Sequence, residues 1–136
     1  MKEISVITGA SGTLGKAVTE ELLKKKHTVL AIVRNSINNA DKNYHELKID
    51  LSDLQNIENN KEKMLKVFKM NNFKKINIIH IAGKYEQQEL PLEYEEINNW
   101  KEIFNINCIS FYYIVSILYE EIKKIKNDSL AHSTWN

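Results

Sequence analysis

The sequence predicts an α/β fold in three layers: about four parallel strands in the order 3-2-1-4, with helices on both faces. Three observations predict it. Short runs rich in β-branched and aliphatic residues recur at 3–8, 28–33 and 76–81, with a further short strand at 44–49. Stretches with helical apolar spacing separate them. A glycine-rich segment joins the first such run directly to the first helical one. Strands that alternate with helices pair in parallel through right-handed crossovers.

Taken in order, Glu3 to Thr8 reads as a short buried strand. Residues 13–26 read as a helix, with Leu14, Ala17, Val18, Leu22 and Leu23 on one face and Lys16, Glu20, Glu21 and Lys24 elsewhere. TVLAIV at 28–33 has the profile of a strand covered on both faces. Residues 35–44 are polar and Asn-rich, hence a loop, and 44–49 form a third strand. Ser52 with Gln55 three residues on resembles a capping box. Leu54, Ile57, Lys61, Leu65 and Phe68 keep a helical period, which Glu58-Asn59-Asn60 interrupts with a turn before a main helix at about 60–71. INIIHI at 76–81 is a fourth buried strand, and a loop with the only proline, Pro91, covers 85–92. A short helix is expected at 92–98, a long one at 99–126, and an irregular tail at 127–136.

The gross numbers exclude several classes. At 136 residues and 43% hydrophobic, the chain makes one ordinary domain with a real core. A net charge of +1 gives no pull toward nucleic acid or membrane. The runs Lys24-Lys25-Lys26 and Lys123-Lys124 suit solvated helix ends. One cysteine, Cys108, allows no internal disulfide and fits a reducing compartment; its apolar setting suggests a small buried hydrophobe. His27, His45, His80 and His132 are scattered without metal-ligand spacing. The start carries Glu3 and two early glycines, unlike a signal peptide. The apolar stretch 103–118 is shorter than a membrane span and contains Asn105 and Asn107. A soluble cytoplasmic protein is the expectation.

TGASGTLG at 8–15 carries the chemistry: Thr8, Gly9, Ala10, Ser11, Gly12, Thr13, Leu14 and Gly15. A strand that turns straight into a helix leaves the first helical amides unpaired, with the positive end of the helix dipole behind them. A phosphate is the natural guest. Gly9 lets the chain leave the strand, Gly12 lets a pyrophosphate approach, and Gly15 lets helix and strand pack closely. A Walker loop is excluded by counting. Gly9 and Gly15 are separated by five residues instead of four, and Ala17 follows Lys16 where a hydroxyl is needed. Arg34-Asn35-Ser36 ends the second strand, and no Asp or Glu occurs between Glu21 and Asp41. An arginine there accepts a ribose 2′-phosphate, which favours NADP(H) over NAD(H).

These residues, in this order, resemble the N-terminal part of a short-chain dehydrogenase/reductase, a family with a Rossmann-type NAD(P)-binding fold. TGASGTLG resembles the family's glycine motif. Asp50-Leu51 resembles the Asp plus apolar pair that contacts the adenine. His80-Ile81-Ala82-Gly83 sits where the family often has Asn-Asn-Ala-Gly, with Ala82 and Gly83 matching in full. Residues 100–110, WKEIFNINCIS, resemble the helix with the active-site Asn, which would be Asn107. The resemblance implies an NAD(P)-binding domain over 1–126 and an oxidoreductase acting on an alcohol or carbonyl. It also implies a catalytic Asn, Ser, Tyr and Lys, of which only the Asn has a counterpart here; the chain looks truncated before the others. Tyr119 and Lys123 spell Tyr-x-x-x-Lys but lie on the helix of Asn107, three turns on, as ordinary face neighbours. The alternatives are a non-catalytic dinucleotide-binding module, an inactive remnant, or a subunit that borrows the missing groups. The long helix, apolar on two sides, and the open edge of strand 4 imply a homo-oligomer.

Overall fold

In a computed structural model, the chain is described over residues 2–85 and 90–132, with side chains to residue 125. The elements are β1 Glu3–Thr8, α1 Thr13–Lys24, β2 Thr28–Val33, β3 Tyr44–Lys48, α2 Leu54–Asn59, α3 Lys61–Lys69, β4 Lys75–His80, α4 Tyr94–Phe104, a π-helical stretch Asn105–Ile109, and α5 Ser110–His132. The sheet runs β3-β2-β1-β4 and is parallel throughout, as the alternation predicts.

Alternation along the strands divides the core. Ile4 and Val6 of β1, with Leu30 and Ile32 of β2, face Ile57, Met64, Phe68, Ile114 and Leu118 of α2, α3 and α5. Ile7, Val29, Ala31 and Val33 face the other way, toward Leu23 of α1. This is why β2 carries no polar residue after Thr28: both of its sides are covered. At the N-terminal ends of the strands a polar cluster closes the α1 side. Buried Ser5 lies 3.1 Å from His27 Nδ1 and accepts from Asn77 Nδ2 at 3.2 Å, while His27 Nε2 is 3.3 Å from Glu3.

Several boundaries differ from the sequence reading, each for a local reason. Helix α1 ends at Lys24, because Lys26 turns left-handed at φ 65°. The amides of Lys26 and His27 then reach back to the carbonyls of Leu23 and Leu22, a Schellman closure. The cap of α2 is Asp53, not Ser52: its carboxylate accepts from the amides of Gln55 and Asn56. Ser52 is occupied instead, donating from Oγ to Asp50 at 2.7 Å. Helix α4 starts at Tyr94, where Glu93 and Glu96 form the capping box. No break follows near residue 99, and the helical run continues to His132, past the expected end at 126. No glycine or proline occurs between residues 92 and 132 to stop it.

Cys108 is exposed, contrary to expectation. The core-facing residues of this run are Ser110, Ile114, Ile117 and Leu118, and Cys108 lies off that stripe. The helical run Tyr94–Ile125 is long and apolar enough to cross a membrane, by length and composition. Its buried residues Ile114 and Leu118 pack on the sheet, the position of a core helix.

Candidate functional site

A cleft of about 640 Å³ opens at the C-terminal ends of the strands. The glycine loop forms one wall. Gly9 and Gly15 are fixed by the protein itself. Gly9 sits at φ +69°, and a Cβ there would lie 2.6 Å from the amide nitrogen of Ala82. A Cβ on Gly15 would lie 2.1 Å from the carbonyl oxygen of Gly9. Gly12 is different. Its φ of −76° suits any residue, and a Cβ there would meet only the Gly9 carbonyl at 3.6 Å. Nothing in the chain requires a glycine at that point; what the missing side chain leaves is open space in the cleft wall.

Gly12 is also the N-cap of α1, and it offers no side chain to cap the helix. Thr13, Leu14 and Gly15 follow it, and all three line the cleft. Their amides belong to the first turn, which has no intrahelical acceptor for them. No acidic residue occupies that turn. The helix dipole therefore acts uncompensated at the cleft wall, which suits an anion. Leu14 adds an apolar side chain 62% exposed at the same wall.

Of the other residues singled out in the sequence, Ser11, Arg34, Asn35, Asp50, Leu51, Ala82 and Gly83 line the cleft. Asp50 also shapes its own turn: its carboxylate accepts from Ser52 N at 3.0 Å, and its amide donates to Asn56. Thr8 and Asn107 are not among the lining residues, and each holds one of them. Thr8 is fully buried; its Oγ1 is 2.7 Å from His80 Nδ1 and accepts from the Ala82 amide at 3.3 Å. It supports the cleft floor. Asn107 grips the backbone of Lys84 at both ends, accepting from its amide at 2.7 Å and donating to its carbonyl at 2.8 Å.

Three contributors escaped the sequence reading. Lys84 and Glu102 line the cleft and pair at 3.3 Å. Lys84 directly follows Ala82-Gly83, a signal that was available. Glu46 of β3 anchors the loop that carries Arg34 and Asn35. It accepts from Ile37 N at 3.0 Å, from Tyr44 OH at 2.6 Å and from Ser36 Oγ. Burial works to raise its carboxyl, but these three donors prevail and hold it below its ordinary value. The same burial and the neighbouring carboxylate push the Tyr44 hydroxyl well up. Nothing in the strand pattern marks Glu46, since the loop meets it only in three dimensions. Tyr119 and Lys123 stand apart from the cleft, with the ammonium 5.4 Å from the ring centre and bonded to Glu120. Among the described residues no cluster of His, Cys, Asp and Glu could hold a metal ion.

Comparison with known proteins agrees with this geometry. A model of the short chain dehydrogenase family matches residues 3–129. The chain is similar to a benzil reductase ((S)-benzoin forming) of Bacillus cereus, 28% identical over 132 residues, covering 90% of this chain and 52% of that relative. It thus spans about half the length of that curated relative. A short chain dehydrogenase family protein from Francisella tularensis subsp. tularensis SCHU S4 superposes with a TM-score of 0.68 at 30% identity, covering 88% of this chain and 46% of the other. An oxidoreductase from Brucella ovis, in complex with a partially ordered NAD, shares the fold with a TM-score of 0.72 at 19% identity, covering 91% of this chain and 59% of the other.

Proposed function

Because the chain belongs to the short-chain dehydrogenase family, we propose that it is the dinucleotide-holding part of an NADP(H)-dependent oxidoreductase acting on an alcohol or carbonyl, in a soluble, cytoplasmic setting. The observation that carries this reading is Gly12, a glycine the fold does not need, at the uncapped start of α1 in the cleft wall. The residues fit a dinucleotide. Gly9, Ser11, Gly12 and the amides of Thr13, Leu14 and Gly15 would hold the diphosphate. Arg34 and Asn35 would hold the adenine ribose, and Asp50 and Leu51 the adenine. Ala82 and Gly83 would flank the nicotinamide half. Arg34 supports the phosphorylated cofactor, since no carboxylate stands in the segment 22–40 to accept ribose hydroxyls. When bound, the nicotinamide supplies or accepts the hydride. Asn107, which the resemblance of residues 100–110 assigns to the catalytic set, would stand at the loop of Lys84, whose backbone it clasps.

Titration of the chain with NADPH and NADH, followed by nucleotide fluorescence, tests this. Tighter binding of NADPH is expected, and Arg34→Asp should reverse the preference. Absence of binding by either nucleotide overturns the reading; an unchanged preference in the variant removes Arg34 from the site. A second reading is a module that binds the nucleotide without turnover. A panel of carbonyl substrates separates the two. The partner we propose beside the cofactor is a second copy of the chain, through the exposed apolar side chains of α4 and α5.

A further inference from the structure

The π-helical stretch between α4 and α5 creates a need that one side chain outside the helix meets. In an α-helix the Ser110 amide would donate to the Ile106 carbonyl, four residues back. Here it donates to Asn105, five back. The Ile106 carbonyl is thereby left for other donors, and it has two: Ser110 Oγ at 2.7 Å and His80 Nε2 at 3.1 Å. His80 ends β4, and its other nitrogen, Nδ1, is 2.7 Å from Thr8 Oγ1. The Phe111 ring lies 5.4 Å from the imidazole and completes its seat.

The hydrogen-bond roles follow from what each partner can do. A carbonyl only accepts, so Nε2 carries the proton. The Ala82 amide only donates, so Thr8 Oγ1 accepts there at 3.3 Å, and the same oxygen lies 2.7 Å from Nδ1. One chain of hydrogen bonds results, running from Ala82 through Thr8 and His80 to Ile106. It joins the ends of β1 and β4 to the π-helical turn. The next residue after Ile106 is Asn107, which grips Lys84. Ile106 and Lys84 both line the cleft.

We propose that His80, donating from Nε2, is a positioning residue: it holds the helix in its π register and so sets where Asn107 clasps the loop at Gly83-Lys84. Without the imidazole the Ile106 carbonyl keeps the Ser110 hydroxyl alone, and taking back the Ser110 amide restores its second donor. That returns the helix to α register and swings Asn107 off Lys84. The inference concerns Asn107 alone and does not depend on nucleotide binding.

The test uses the ligand-free chain. Nitrogen-15 spectra of the wild-type imidazole should show a proton on Nε2. Amide exchange should show the Lys84 amide protected. In His80→Ala, Lys84 should exchange faster by about tenfold or more, as expected for one or two lost hydrogen bonds, while the Val6 amide in the sheet is slowed or hastened far less. In His80→Gln, whose side-chain amide can donate to the same carbonyl, the protection should return. An Nε2 without a proton, an unchanged Lys84 rate in the alanine variant, an equal change at Val6, or no rescue by glutamine each overturns the proposal.

Discussion

Gly12 and Gly15 look alike in the sequence and answer to different demands. At Gly15 a methyl group would collide with backbone atoms of Gly9 and Ala10, which have nowhere to go. Gly15→Ala should therefore destabilise the fold by about 1–3 kcal/mol, measured by urea denaturation. At Gly12 a side chain meets open cleft. Gly12→Val should leave the denaturation midpoint nearly unchanged and abolish nucleotide binding, because the β-branched group fills the space a diphosphate needs. Glu46 provides a second measurement at this scale. Its folded carboxyl titrates below its unfolded value, so it stabilises at pH above the unfolded value and loses that contribution as pH falls through the folded one. Partial exposure keeps the effect small. Denaturation from pH 7 down to about 3 should show a steeper loss in the wild type than in Glu46→Gln.

Helix ends explain most of the boundary differences. Apolar spacing locates the body of a helix; its ends depend on single polar contacts. Asp53 outcompetes Ser52 as the cap of α2 because Ser52 is already bonded to Asp50. Lys26 closes α1 in a left-handed conformation that glycine adopts without strain. Lys26→Gly should raise stability by about 1 kcal/mol, read as a higher denaturation midpoint at unchanged slope. The π-helical stretch is a third kind of local solution. It re-aims Asn107 at the loop after β4 by adding a residue to the helical turn.

The whole molecule presents an unequal surface. Trp100, Phe104, Ile109, Tyr112 and Tyr119 are exposed along α4 and α5, and β4 is an edge strand of the sheet among the described residues. Such a face favours burial against another surface. Size-exclusion chromatography with light scattering should show a dimer or larger species at high concentration. Tyr112, 73% exposed, sits in the apolar groove with Leu54 and Ile109. Tyr112→Glu should shift the population toward monomer without loss of stability. A monomer in both proteins at high concentration removes this face as an interface.

The order of the elements, the parallel sheet and the glycine loop were legible before folding, because periodicity and glycine placement are local properties of the chain. The glycine loop, Arg34-Asn35, Asp50-Leu51 and Ala82-Gly83 were legible too, since strand ends in a parallel sheet converge on one edge, whereas Ile32, Val33, Ile49, Ile81, Lys84, Glu102 and Ile106 also line the cleft and carried no motif. The rest emerged with the folded packing. It buried Thr8 under Ala82, clasped Asn107 to Lys84, brought Glu46 to the loop of Arg34, and set His80 against Ile106. It also turned Cys108 outward. Those outcomes rest on side chains distant in sequence competing for the same hydrogen bonds and the same buried space, and that competition exists only once the chain has folded.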